Sequence, residues 1–192
     1  MAAPERRDVN DPSALRALAH PLRQRLLDQL RFAGPATATA LAGRLGESSG
    51  ATSYHLRQLA KYGFVEEDAN RGSRRERWWR HVTADFRFAP GPLPSTELRA
   101  ASVELARFQV ERDLQILDAF LAQQERWRDW HDAVLLSSSA THLTKAELAE
   151  LGERLIEVVK SYWRPPEARP PDAEPVALLM YGLPWPGQEP PA

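Results

Sequence analysis

The chain of 192 residues contains no cysteine. That absence excludes disulfides, thiolate catalysis and cysteine-ligated zinc. No stretch approaches the roughly 18 consecutive apolar residues that a membrane helix needs. The opening "MAAPERRDVNDP" has no apolar segment of the kind a secretory signal carries. The expectation is a cytoplasmic protein with no membrane partner. Nucleophile motifs are also lacking. Ser137, Ser138 and Ser139 lie near His131 and His142, but no G-x-S-x-G elbow surrounds them. "GRLGESSG" has glycines but not the Lys-Ser/Thr of a phosphate loop. The expectation is therefore not an enzyme, with no catalytic residues and no cofactor. No internal repeat is present.

What remains is ordinary for a globular protein: 43% hydrophobic and 27% charged residues. The net charge of −1 conceals an asymmetry. Residues 1 to 90 hold 15 Lys and Arg against 10 Asp and Glu, whereas residues 91 to 192 hold 10 against 16. A basic half joined to an acidic half points to an anionic partner for the first half, unless the charges merely coat solvated faces.

The basic half reads as short, well-punctuated helices. Asp11 caps a helix that has Pro12 at its first position. Pro21 opens a second, with Leu22, Leu26, Leu27 and Leu30 on one stripe, ended by Gly34-Pro35. "TATALAGRLG" is a third, with Leu41 and Leu45 inward and Gly46 as its stop. Ser48 or Ser49 caps a fourth, which ends at Gly63. The period then changes. "FVEED" and "RERWWRHV" predict two strands, and the turn chemistry of "ANRGS" between them makes a β-hairpin.

"APGPLP", residues 89 to 94, reads as a linker. It divides the chain into a domain over 1–89, a linker over 90–95 and a second region over 96–192. A long helix is expected from about Thr96 to about Trp130, with two apolar seams. Leu98, Ala101, Leu105 and Phe108 form one. Val103, Ala106, Val110, Leu114, Leu117 and Leu121 form the other. Two adjacent seams require more than one packing partner, which predicts a homodimer through this helix. "SSSATHLT" is a loop. Thr144 and Glu147 form a capping box for a further helix with Leu148, Leu151, Leu155, Val158, Val159 and Tyr162, stopped by Pro165-Pro166. "VALLMY", residues 176 to 181, predicts one strand, followed by a loose Pro-rich tail.

On the fourth helix, Thr52, Leu56, Leu59 and Ala60 fall on one face. Gly50, Ser53, Tyr54, Arg57 and Lys61 fall on the other. Small polar residues lie at the N-terminal end of that polar face and cations farther along. A helix entering the DNA major groove by its N-terminus has this distribution. Small side chains let the backbone approach, Ser and Arg hydrogen-bond base edges or phosphates, and Lys61 suits a phosphate. The hairpin behind it carries Arg71, Arg74, Arg75, Arg77 and Arg80 against Glu76. Those near its tip are placed for phosphates or an adjacent minor groove. Set against this is the solvated-face reading, in which Arg and Lys outside an amphipathic helix touch nothing.

The strings "ALAHPLRQRLLDQL", "LAGRLGESSGATSYHLRQLAKYGFVEE" and "RGSRRERWWR" resemble the winged helix-turn-helix domain of ArsR-type bacterial transcriptional regulators, over roughly residues 12 to 83. The resemblance implies a mainly helical fold with a β-hairpin wing, and a homodimeric repressor on an inverted-repeat operator. It implies that Ser49, Ser53, Tyr54 and Arg57 face DNA. His55, in the S-x-H-L pattern, lies on the flank of that face and either reaches a phosphate or is a half-buried support. With no cysteine, the metal-sensing cluster of some members is absent. Asp129, His131 and His142 lack a further ligand at a suitable spacing, so no metal site is expected. The longer C-terminal half is similar to the helical extension of the larger metal-independent regulators.

Trp127, Trp130, Tyr162, Trp163 and Trp185 either line a pocket for an apolar small-molecule effector or fill a core or dimer interface. The competing overall reading is a winged-helix protein-interaction module that never contacts DNA.

Overall fold

A computed structural model describes residues 5–69, 71, 76–88, 95–164, 168–185 and 187. Among them the order is β1 (Arg6–Val9), α1 (Pro12–Leu18), α2 (Pro21–Phe32), β2 (Ala36–Thr37), α3 (Ala38–Leu45), α4 (Ser49–Lys61), β3 (Val65–Glu67), β4 (Trp78–His81), β5 (Asp85–Phe88), α5 (Thr96–Ala122), a 3-10 segment (Gln124–Trp130) and α6 (Lys145–Ser161). The fold is mainly helical, a winged helix-turn-helix with a small antiparallel sheet. The chain forms two compact units, residues 1–114 and 115–192.

In the first unit the helix starts follow the capping chemistry. Asp11 Oδ1 accepts from the Ser13 amide at 2.8 Å, and Pro12 follows as the first helical residue. Thr37 Oγ1 accepts from the Ala40 amide at 3.2 Å. Ser48, rather than Ser49, caps α4, its Oγ accepting from the Ala51 amide at 3.1 Å. Gly46 (φ +69°) ends α3 and Gly63 (φ +72°) follows the end of α4, both in the left-handed region, where a side chain is strained.

The wing has three strands in the order β2-β4-β3, all antiparallel. The hairpin follows the predicted positions, and the Asp68 amide donates to the Trp78 carbonyl at 2.8 Å where the strands enter the turn. Three strands are not foreseen: Arg6–Val9, Ala36–Thr37 and Asp85–Phe88. Ala36–Thr37, expected within or before the third helix, instead pairs with Trp78–Trp79 before Thr37 caps α3. Arg6–Val9 pairs in parallel with Asp85–Phe88. Its sequence "RRDV" has none of the alternation that marks a half-buried strand, because its residues are largely exposed.

The core of this unit joins Leu15, Leu26, Leu41, Leu56, Leu59, Val65, Leu98 and Leu105, each essentially without solvent contact. Truncating a leucine in such a position costs about 2–5 kcal/mol. The first seam of α5 thus packs into the winged-helix domain itself, through Leu98, Ala101 and Leu105. Arg16 pairs with Glu97 at 2.9 Å, and Arg112 donates to both carboxylate oxygens of Asp28 at 2.8 and 2.7 Å. The first part of α5 is therefore one body with α1 and α2. The expected linker residues 89–94 lie outside the described residues.

In the second unit none of the described residues is buried. The long helix ends at Ala122 rather than near Trp130, and residues 124–130 form a 3-10 segment with a non-helical Trp127 (φ −105°, ψ 20°). Trp127 and Trp130 are three apart, the repeat of a 3-10 turn rather than an α-helical stripe. The capping box of α6 forms as expected. The Thr144 amide donates to Glu147 Oε2 at 2.7 Å and the Glu147 amide to Thr144 Oγ1 at 3.2 Å. The Thr144 amide and the Thr144 hydroxyl, which donates to the same Glu147 oxygen at 2.8 Å, hold the exposed Glu147 carboxyl below its ordinary pKa. The strand expected at 176–181 does not form: these residues are irregular and exposed. Strand propensity needs a neighbouring strand to become structure, and none lies beside this segment among the described residues.

One titration is set by this packing. His81 on β4 is half-buried, and its Nε2 lies 3.4 Å from Arg31 Nη2. The guanidinium must donate, so Nε2 accepts and the ring stays neutral. Burial and the Arg31 charge push its pKa down from 6.5 to about 4. The unfolded chain therefore binds the extra proton first, and stability falls as pH drops below 6.5 toward 4. We expect a loss of at most about 1.4 kcal/mol per pH unit over that window, less because the ring keeps some solvent contact. Urea melts of His81→Gln, which keeps a hydrogen-bonding side chain without the titration, should show a flatter pH profile. An unaltered profile would assign the acid sensitivity elsewhere.

Candidate nucleic-acid interface

α3, a tight turn and α4 make up the centre of the site. The Gly46 and Glu47 amides both donate to the Ala42 carbonyl, the latter at 2.9 Å, which closes the turn. Arg25 of α2 holds the turn from outside, with Nη2 donating to the Leu45 carbonyl at 2.8 Å and Nη1 to Glu47 at 3.2 Å. α4 then has no rotational freedom, because Thr52, Leu56 and Leu59 are all fully enclosed. The opposite face is left outside the core. Ser49, Gly50, Tyr54, Arg57 and Lys61 are exposed, and Ser53 is half-buried.

The individual side chains differ from the expectation in detail. Arg57 donates from Nε to the Ser53 carbonyl at 3.1 Å, so it lies back along its own helix. No carboxylate pairs with it among the described residues. Lys61 Nζ sits 5.0 Å from the centre of the Tyr62 ring. His55 is half-buried, its ring centre 4.5 Å from that of His20 and 5.1 Å from that of Tyr54. The Nδ1 atoms of His20 and His55 are enclosed without a hydrogen-bond partner. Burial and the nearby Arg23 hold both rings below the usual histidine pKa, and His55 lowers His20 further.

The cations of the wing are less available than a residue count suggests. Arg71 pairs with Asp68 at 3.5 Å and lies 5.9 Å from the Trp78 ring. Arg77 pairs with Glu67 at 3.1 Å, and Arg80 with Glu66 at 2.9 Å. The antiparallel register sets Glu66 directly across from Arg80 and Glu67 across from Trp79, so the carboxylates of "FVEED" meet the arginines of the opposite strand. Arg74 and Arg75 lie outside the described residues. Exposed pairs of this kind contribute about 0–1 kcal/mol and exchange readily for another anion.

His20 is absent from the sequence-derived site. Its signal is the dipeptide His20-Pro21, which puts an imidazole at the N-cap of α2, and only the fold brings that position beside α4. In the second unit, His131 Nε2 lies 3.2 Å from the Gln124 carbonyl. Among the described residues no three His, Asp or Glu side chains gather as metal ligands, and no helix is long and apolar enough to cross a membrane. The five C-terminal aromatics do not fill a core within the chain. Trp127 and Trp130 are half-buried, whereas Tyr162 and Trp185 are 74% and 72% exposed. An open groove of 690 Å³ lies elsewhere, along the Val103–Phe108 face of α5.

Residues 18–68 match the family model of a helix-turn-helix domain. Among solved structures, the chain is similar to reduced HlyU from Vibrio cholerae, at 25% identity over 50% of this chain and 83% of that one, with a TM-score of 0.32. It is also similar to RV1404 from Mycobacterium tuberculosis, at 14% identity over 79% and 84% of the two chains (TM-score 0.32). The adhesin competence repressor AdcR from Streptococcus pyogenes matches at 13% identity over 78% and 79% (TM-score 0.28). No curated protein matches the sequence.

The buried face of α4 carries one polar atom out of place. Thr52 is fully enclosed and its Oγ1 has no hydrogen-bond partner. An enclosed, unsatisfied hydroxyl costs about 1–3 kcal/mol, and valine has nearly the same shape. Thr52→Val is expected to raise stability by about 1 kcal/mol, read as a shifted urea midpoint with an unchanged slope. A lower midpoint would reveal a partner for the hydroxyl.

Proposed function

We propose that this protein is a sequence-specific, DNA-binding transcriptional regulator, a cytoplasmic homodimer that represses from an inverted-repeat operator. The observation that carries the reading is the division of α4. Its apolar face is locked in the core directly after a tight turn, while Ser49, Gly50, Tyr54, Arg57 and Lys61 stand outside. In this reading α4 enters the major groove by its N-terminus. Ser49, Ser53, Tyr54 and Arg57 contact base edges or phosphates, with Lys61 on the backbone and His55 at the flank. The wing adds phosphate contacts through Arg71, Arg74, Arg75 and Arg77. For Arg71 and Arg77 a phosphate would replace the present carboxylate partner.

Selection from a random duplex library by the full-length protein, followed by titration of the winning sequence, tests the reading. Arg57→Ala is expected to weaken that complex by about 1–3 kcal/mol with folding intact. Wild-type affinity in the folded variant would remove Arg57 from the interface. Failure to enrich any sequence would favour the second reading, a winged-helix protein-interaction module. The carboxylate partners of Arg71, Arg77 and Arg80 lend that alternative its support.

The dimer is inferred from the second seam of α5. Val103, Val110 and Leu114 are 49%, 41% and 55% exposed, while Leu98, Ala101 and Leu105 of the first seam are buried. We assign residues 96–192 to dimerisation, with an apolar small-molecule effector acting in the same region. Light scattering at micromolar concentration should give twice the chain mass. Val110→Glu with Leu114→Glu should give the monomer while leaving the helical content of the first unit in place. A monomeric wild type would overturn the assignment.

A further inference from the structure

The pair His20 and His55 is not accounted for by DNA contact alone. Two imidazoles lie with ring centres 4.5 Å apart and planes tilted by 43°, one at the start of α2 and one in the middle of α4. His55 continues the stack edge-on to Tyr54, at 5.1 Å and 75°. Tyr54 is itself 53% exposed on the polar face. The three rings therefore form a ladder from the domain's interior edge to the face of α4.

We infer that His20 is a positioning residue for the reading face of α4: it holds His55, His55 holds the Tyr54 ring, and a proton taken up by the histidine pair loosens the ladder and weakens DNA binding. This rests on the DNA-binding reading above. The geometry supplies the cause. Both Nδ1 atoms are enclosed without a hydrogen-bond partner. The backbone of His20 favours a charge on its own ring, the smallest of the influences there, whereas an N–H placed on His55 Nδ1 by protonation has no acceptor to donate to. The surroundings oppose a positive charge as well. Arg23 of α2 faces both rings, and it is fixed there by donating from Nη2 to the Arg16 carbonyl at 2.9 Å and from Nε to the Ala17 carbonyl. Glu47, in the turn before α4, favours a charge on His55, but it is already engaged by Arg25. Tyr54 and Tyr62 face Arg23. Stacked neutral rings attract, whereas two imidazolium rings at this separation repel.

The sign follows from the direction of the shifts. Both histidines sit below 6.5 in the folded chain, so the ladder is intact above that pH and is lost as pH falls through the folded pKa values. A histidine acting instead as a plain phosphate contact would bind DNA more tightly when charged, so acidification separates the two roles.

The test uses the full chain and the duplex it selects at pH 7.5. NMR titration of the histidine Cε1–H and Tyr54 ring signals is expected to show Tyr54 moving with the His55 midpoint, and a higher His20 midpoint in His55→Gln. Duplex affinity, by fluorescence anisotropy, should fall as pH is lowered from 7.5 through the histidine midpoints that the NMR titration reads, at least fivefold one pH unit below the lower midpoint. His20→Phe keeps a ring without a proton. It should match the wild type within about twofold at pH 7.5 and lose less than half as much on a logarithmic scale at that lower pH. Tighter binding at low pH, or an identical profile in His20→Phe, would overturn the inference while leaving DNA binding in place. If no duplex is selected, the functional reading fails. The Tyr54 titration then decides the ladder by itself, and a Tyr54 signal indifferent to the histidines refutes it.

Discussion

The burial of Thr52, Leu56 and Leu59 fixes which side of α4 faces out, and everything proposed for the surface depends on it. A helix presents about one residue every 100° around its axis, so three enclosed positions on one stripe leave no freedom of rotation. The Gly46 turn sets where α4 begins, and Arg25 braces that turn against α2. With its start and rotation both fixed, α4 holds Ser49, Tyr54, Arg57 and Lys61 on a common exposed face without any ligand to organise them.

Charge in the wing is governed by which carboxylate each arginine meets rather than by composition. Arg80 of β4 lies across the ladder from Glu66 of β3, Arg77 just before β4 pairs with Glu67, and Arg71 pairs with Asp68 three residues back, so each described wing arginine already has a carboxylate near it. Such pairs are weak in water and break when a stronger anion arrives. They lower the positive potential that the unbound wing shows to solvent.

The two units contrast in how they satisfy their apolar residues. The first has a continuous core that includes the beginning of α5, tied down by Arg16–Glu97 and Arg112–Asp28. The second has regular helices and a well-formed capping box but no buried residue among those described. Leu151, Leu155 and Val158 of α6 are 42%, 44% and 59% exposed, although their spacing is that of an apolar stripe. Helices of this length gain most of their stability from packing such a stripe, which is the physical ground for assigning the region to an interface.

Local chemistry made much of this legible in the sequence. Asp11-Pro12, Ser48, Gly46, Gly63 and the Thr144–Glu147 box mark helix ends through contacts spanning only a few residues, so their positions follow from sequence alone. The inward face of α4 and the wing hairpin follow from periodicity in the same way. Whatever depends on distant partners was decided by the tertiary structure. The exposed strand Arg6–Val9 exists only because Asp85–Phe88 lies beside it, and the strand expected at 176–181 is absent because it has no neighbour. Arg80 finds Glu66 through register. His20 meets His55 across 35 residues, because the packing of α1, α2 and α4 brings the start of α2 under α4. Sequence determined which segments are helical and which face of each is apolar. The fold alone decided which polar groups meet, because such meetings are set by through-space distance and not by spacing along the chain.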